Sequence, residues 1–470
     1  MNILALDLGT SSVRGLVLDA DTQPLPGALA RRKVDLAIGD DGTGTLSGRD
    51  YLANLVECLD ELADSGHLHD VGQVAVSAQW HSVLPLDRAG APMGPVVTWL
   101  DTRPVPAGGT AGPADPDGFH QRTGCWWHRS YWSMRLPWLR EQSGSPIARF
   151  VGLPEYVLGE LLETAPMSIS QASGTGLLDL RTLRWDEEAL TLAEARPDEL
   201  PALGELDWHG RLRGDLASRW PQLAQARWSP PVGDGGASNV GSGCVDPSRA
   251  AVTVGTSAAV RLMQRIPAGE QMPRLPERLW RYRVDHDHVV TGAAYANGGN
   301  LFAWADRELR LPRGAELDAA LALVPAGGGR PADPRFGGDR APGLAPAGSG
   351  ELRGLSFGTT SVDILAGLMQ GLCELVAEDL RVLESTIDKP VGVVLGGGAV
   401  AASVWWRQAF ATALAPRPVS HQRNPEIGAT GAALVALGRF GDAIELADIG
   451  RTDELVLPTT AGRSHPQYPS

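Results

Sequence analysis

The sequence predicts an α/β chain of two similar domains, and three observations carry that expectation: its length, the duplication of a glycine-containing hairpin, and the order of elements in each half. A chain of 470 residues exceeds what one ordinary core organises, so two domains of roughly two hundred residues are expected. The run from Asn2 to Asp19 reads as apolar strand, small polar turn (Gly9-Thr10-Ser11-Ser12) and apolar strand. Ala251 to Val260 repeats that grammar around Gly255-Thr256-Ser257, about half the chain later, which divides the sequence into 1–245 and 246–470.

Within the first half, strands are expected at Gln73–Ser77 and Val96–Trp99, and helices at Tyr51–Ala63 and Pro154–Leu162. The second half adds a strand at Val289–Ala293, a long helix at Val362–Leu383, a strand at Val391–Leu395 and a helix around Trp405–Ala415. In both halves strands come first and then alternate with helices, which predicts α/β layers with an active site in the cleft between the domains. The Pro-, Gly- and Ala-rich stretch 325–350 reads as a long loop, either a lid or a tolerated insertion.

Composition narrows the function. Hydrophobic residues make up 43% and charged residues 20%, as in a soluble globular protein. A net charge of −14 repels nucleic acid and anionic membrane, and no basic patch offsets it. Cys58, Cys125, Cys244 and Cys373 lack metal or disulfide spacing, so reduced thiols are expected. The opening strand-like run has no signal-peptide character, and no apolar run approaches the ~20 residues of a membrane span, so a cytoplasmic location is expected.

The candidate chemistry lies in small-residue turns. Gly9, Thr10, Ser11 and Ser12 offer backbone N–H groups and hydroxyls suited to a phosphate, although a plain hairpin uses the same residues. Two such turns, the second at Gly255, Thr256 and Ser257, can grip both ends of a polyphosphate. Asp7 precedes the first turn and Thr253 the second, an asymmetry that suits one Mg²⁺ held through water by one carboxylate. Asp234, alone among small residues from Val232 to Gly243, fits the carboxylate that accepts a hydroxyl proton during phosphoryl transfer; Asp-Gly-Gly also fits an ordinary turn. Gly396, Gly397 and Gly398, between a strand and a helix, suit close approach to a nucleotide or simply tight packing. Ser77-Ala-Gln-Trp80-His81-Ser82 and Trp99-Leu-Asp101-Thr-Arg103 combine aromatic and polar groups in the way sugar sites do, although a lone Trp or His also serves a core.

Taken in order, Asp7-Leu-Gly-Thr-Ser-Ser12, Gln79-Trp-His81, Trp99-x-Asp-x-Arg103, Gly233-Asp-Gly235, Thr253-Val-Gly-Thr-Ser257, Gly338-Asp-Arg-Ala-Pro342, Gly396-Gly-Gly-Ala399 and Glu426-Ile-Gly-Ala-Thr-Gly-Ala432 resemble the FGGY carbohydrate kinases of the actin-like ATPase superfamily. The resemblance spans almost the whole chain. It implies two ribonuclease-H-like domains, the first binding mainly sugar and the second mainly ATP, and an ATP- and Mg²⁺-dependent phosphotransferase with an alcohol acceptor. Asp234 would be the general base and Asp7 would help place Mg²⁺. Gly9, Thr10, Ser11, Ser12, Gly255, Thr256 and Ser257 would contact phosphates, and Gly396, Gly397 and Gly398 would line the adenosine pocket. Trp80, His81, Asp101 and Asp234 would lie at the sugar.

Ser77–Ser82, Arg122-Thr-Gly124 with His128, Val151–Tyr156, Leu183–Glu188 and Asn297–Gly299 look most like the gluconate kinases, so gluconate is the acceptor expected. Its carboxylate requires a cation, for which Arg129, Arg135 and Arg340 are candidates. The alternatives are a ketopentose such as xylulose or ribulose, a glycerol-like polyol or a cyclitol, and, from another class, a nucleotide-dependent sugar sensor without catalysis. The partner expected is thus a small sugar or polyol, with no nucleic acid and no membrane, and a homodimer is the assembly considered. Three departures stand out. Cys125–Trp132 is unusually aromatic, and either touches the acceptor or packs the domain. Pro331–Gly338 replaces an apolar run, and Thr412 stands where an acidic residue is common.

Overall fold

The computed structural model describes residues 1–104, 112–205, 207–341 and 348–441. Residues 342–347 of the long loop, and with them Pro342 of the Gly338–Pro342 motif, lie outside the described residues. The chain forms two compact units. The first takes Met1–Asp246, Met263–Thr291 and the segment beginning at Glu426; the second takes Pro247–Leu262 and Gly292–Pro425.

The first unit is built on a sheet ordered Arg227–Trp228, Val71–Ala78, Asn2–Leu8, Ser12–Leu18 and Pro24–Lys33, with Val232–Gly233 also pairing with Val71–Ala78. Asn2–Leu8 runs antiparallel to Ser12–Leu18, so the Gly9–Ser12 turn is a true hairpin, and parallel to Val71–Ala78. Leu4, Leu6 and Leu8 alternate onto one face and pack with Val74 and Val76. The helix Gly48–Asp64 covers that face because Tyr51, Leu55, Leu59 and Leu62 recur at helical spacing, and Ser47 caps it by accepting from Asp50 N–H. This arrangement places the carboxyl ends of three parallel strands side by side: Asp7 pairs with Ser77, and Val232–Gly233 pairs with Ser77–Ala78. Ligands of open α/β sheets bind at such ends.

A second apolar cluster in this unit gathers Phe119, Trp132, Leu136, Phe150, Ile169, Leu177 and Leu190. The excursion 263–291 is fastened by two fully buried arginines. Arg281 donates to Thr291 Oγ1 and the Pro273 carbonyl, and Arg283 to the carbonyls of Leu180, Ile266 and His286. Burial pulls both guanidinium pKa values down to about 10, aided at Arg281 by the charge of Arg283 and opposed at Arg283 by Asp285, Asp287 and Asp179.

In the second unit, Arg249–Val254 pairs antiparallel with Ala258–Arg265 and parallel with Gly392–Gly396, which in turn pairs parallel with Val419–His421. The duplicated hairpin thus sits on the same antiparallel-then-parallel scaffold as the first. The long helix runs Ser361–Glu384, started by a Thr360/Asp363 capping box, and packs against Val404–Leu414. The loop expected at 325–350 carries a short strand, Ala332–Asp333, paired with Glu351–Leu352.

Candidate functional site

Asp234 does not occupy an isolated turn. It opens the helix Asp234–Gly241 directly after the strand Val232–Gly233, and its Oδ1 accepts from the Gly235 N–H at 2.7 Å. That helix packs against Ile427–Ala436, backbone to backbone. A Cβ on Gly241 would lie 2.0 Å from the Ile427 carbonyl oxygen, and one on Gly431 would lie 1.8 Å from that of Ala237. Only glycine fits either position, which gives the Glu426–Ala432 motif its physical reason: it lets a C-terminal helix set Glu426 beside the first hairpin.

Three carboxylates consequently share one neighbourhood. Arg14 bonds Glu426 at 3.0 Å and lies 4.0 Å from Asp7, its antiparallel partner. Burial is the largest influence on Asp7 and pushes its pKa up to about 6. Arg14 opposes that rise, whereas the charges of Asp234 and Glu426 add to it. Ser77 Oγ is near enough to ease the charge but makes no hydrogen bond of good geometry.

This crowding fits a divalent cation, which would relieve the repulsion. Among the described residues no group of three or more His, Cys, Asp or Glu could ligate a metal directly.

The turns fit anions as well. Gly9 N–H bonds the Ser12 carbonyl at 3.1 Å and Gly255 N–H that of Ser257 at 2.9 Å, whereas the N–H groups of Thr10, Ser11 and Thr256 meet no acceptor among the described residues. Gly298 and Gly299 lie against the second turn, with Gly299 N–H on the Gly255 carbonyl at 2.7 Å and Asn300 N–H on that of Thr256 at 3.2 Å. In the same unit Gly396 ends a strand, Gly397 turns with φ of 95°, and Gly398 begins a short helix. A Cβ at Gly397 would come 2.4 Å from the Val254 carbonyl oxygen.

The expected sugar residues divide. His81 has a left-handed backbone, φ 69°, and its Nδ1 faces the Gly174 carbonyl, which can only accept, so Nδ1 carries the proton. Trp80 is buried, its Nε1 donating to the Ser170 carbonyl at 2.9 Å, and its ring presses on Gly233, next to Asp234. Asp101 is also buried, and its carboxylate is occupied by Gly44 N–H and the Arg103 guanidinium. It fastens a loop; the carboxylate is not directed outward.

Of the aromatic stretch, Trp126 and Trp132 pack the domain, donating to the carbonyls of Glu277 and Ser82. Tyr131 differs: its hydroxyl meets that of Tyr282 at 2.7 Å, and both rings stand edge-on to His81. Trp280 stacks on Tyr282 at 4.4 Å. Sequence reasoning missed Trp280, Tyr282, Arg14 and the placement of Glu426. A Trp-Arg-Tyr-Arg strand, 280–283, was the available signal.

Carboxylates at the ends of parallel strands, with amide-rich turns in duplicate, suit a protein that binds and transfers a phosphoryl group. Comparison with known proteins narrows it. Residues 2–220 match the N-terminal domain and residues 250–438 the C-terminal domain of the FGGY family of carbohydrate kinases, and the chain belongs to that family. It is 24% identical over 431 residues to a gluconokinase of Bacillus subtilis (strain 168), covering 86% of this chain and 81% of that protein. It is 26% identical over 486 residues to a glycerol kinase of Trichlorobacter lovleyi, covering 97% and 94%. Two solved structures from Lactobacillus acidophilus superpose with TM-scores of 0.84. A xylulose kinase is 22% identical, covering 97% of this chain and 94% of its own, and a gluconate kinase 21%, covering 97% and 93%. Equal scores for two acceptors show the fold and leave the acceptor to the site.

Proposed function

We propose that the chain transfers the γ-phosphoryl group of ATP to a hydroxyl of gluconate, with Asp234 as general base. The observation that carries this is the position of Asp234 at the mouth of a parallel-strand edge, electrostatically coupled to Asp7. Asp234 accepts the hydroxyl proton as the oxygen attacks phosphorus, and the amides of the Gly9–Ser12 and Gly255–Ser257 turns bind phosphate oxygens. Bound Mg²⁺ supplies positive charge to the phosphates, and Asp7 is the residue that would hold it, through water. Gly396, Gly397 and Gly398 let the backbone approach adenosine, while His81, with Trp80 behind it, orients the acceptor. Gluconate is favoured by the match to a gluconokinase. Dependence on ATP and four buried cysteines without disulfides suit the cytoplasm.

The test is ADP release from Mg²⁺-ATP with aldonates, ketopentoses, glycerol and cyclitols, each against a blank without acceptor. Gluconate should give the highest kcat/KM. Release that ignores every acceptor would overturn the kinase assignment, and preference for a neutral sugar would overturn the acceptor.

A further inference from the structure

Arg135 was one of three candidate partners for the substrate carboxylate, and the structure withdraws it from that task. It is 0% exposed. Its Nε donates to the Arg129 carbonyl at 2.8 Å, Nη1 to that of His81 at 2.8 Å, and Nη2 to those of Thr98 and Asp101 at 2.7 and 3.4 Å. One planar cation therefore ties together the loops that carry His81, Asp101 and Arg129. A lysine cannot replace it, because three donors on a tetrahedral nitrogen do not reproduce the fork.

The charge balance around this hub is positive. Asp101 is paired with Arg103. Among the described residues neither Arg135 nor Arg129 is within ion-pair distance of an Asp or Glu. Arg129 is exposed, and its Nη1 rests on the Thr102 carbonyl at 2.9 Å, which leaves Nε and Nη2 able to meet a carboxylate side by side.

We propose that Arg135 is a positioning residue that presents Arg129 as the carboxylate-recognising side chain, so that the acceptor class is anionic sugar acids. This rests on the kinase reading above. Arg129 pairs with the acid end of the acceptor, and the loops locked by Arg135 hold Arg129 in register with His81. Arg135 also adds a buried charge beneath them that Asp101, shared with Arg103, offsets only in part, which favours an anion over a neutral polyol.

The experiment measures steady-state constants for gluconate and ATP, and calorimetric affinities for gluconate and its neutral counterpart glucitol, in the wild type, Arg129→Ala and Arg135→Lys. Arg129→Ala should raise the gluconate KM about 10- to 100-fold, leaving the ATP KM and glucitol affinity within about twofold. Arg135→Lys should weaken gluconate and glucitol alike, by about tenfold, again sparing ATP. An Arg129→Ala protein whose gluconate KM stays within about twofold of wild type overturns the proposal, as does one that loses ATP equally. Arg129 is exposed, so its variant folds even where Arg135→Lys does not. A wild type that ignores every acceptor, or takes only neutral ones, is a different result: it removes the underlying reading itself.

Discussion

The two hairpins share a plan and differ in charge. Each is an antiparallel pair whose first strand also pairs in parallel with a strand ending in a turn: Asn2–Leu8 beside Val71–Ala78, and Arg249–Val254 beside Gly392–Gly396. Each holds its first turn carbonyl in place, Gly9 O by the Tyr51 hydroxyl at 2.9 Å and Gly255 O by Gly299 N–H at 2.7 Å. Yet Asp7 faces Arg14 across the first hairpin, with Asp234 and Glu426 nearby, while Thr253 faces Ala259 across the second. The turn recurs in both places, whereas the carboxylates gather at the first, where the proposed function puts the acid–base chemistry. The difference implies that defects in the first unit strike chemistry and those in the second strike nucleotide binding.

The largest test of that division is Asp234→Asn. Loss of a general base lowers kcat by about 10³-fold, and because the residue lies in the first unit the ATP KM should stay within about twofold. Initial rates across ATP and acceptor concentrations check both numbers. An unchanged kcat would remove the carboxylate from the chemistry and erase the contrast between the units.

Next in size is Gly431→Ala. The new methyl would overlap the Ala237 carbonyl, so the two helices must part, at about 3 kcal/mol in denaturant melts. Turnover should drop more than stability alone explains, since both Asp234 and Glu426 sit at the N-terminal ends of those helices. The counterpart in the second unit is Gly397→Ala. With φ of 95° and the Val254 carbonyl in the way, alanine must shift the strand-to-helix turn, raising the ATP KM at least about tenfold while the acceptor KM holds. Titration with each substrate in turn separates the two.

How much of this was legible in the sequence follows the same divide between local and distant. The hairpins and the Gly396–Gly398 turn were readable because strand periodicity and turn chemistry act within a few residues, whereas the helix that Asp234 opens was not. The predicted strand at Gln73–Ser77 lies inside the observed Val71–Ala78, and the helix expected at Val362–Leu383 inside Ser361–Glu384. What periodicity cannot carry is which unit a segment joins. Residues 263–291 and the Glu426 helix follow the second hairpin in sequence but fold with the first unit, so Trp280, Tyr282 and Glu426 escaped notice. The partners of Asp101 and Arg135 were equally out of reach: nothing local in the sequence shows that one carboxylate meets Arg103 or that one guanidinium meets four backbone carbonyls.

The smallest expected effect separates function from stability within the first hairpin. Asp7 titrates near 6 in the folded chain against 3.8 when unfolded, so between those values the folded state binds more protons and stability falls as pH rises. Above pH 6 the strain is fully present. Its side chain is 18% exposed, so screening by water leaves on the order of 1 kcal/mol. Asp7→Asn should therefore be more stable than wild type by about that amount at pH 7.5, and the gap should shrink as pH falls through 6 and close below 3.8, where the aspartate is mostly protonated in both states. Urea melts at pH 3.5, 5 and 7.5 without divalent cation measure it. Added Mg²⁺ should then stabilise the wild type and not the variant, because a cation offsets the cost of a buried Asp7 charge as well as its repulsion by Asp234 and Glu426. If the variant is less stable at every pH, Asp7 is a structural member of the sheet, and the two hairpins differ less than their charges suggest.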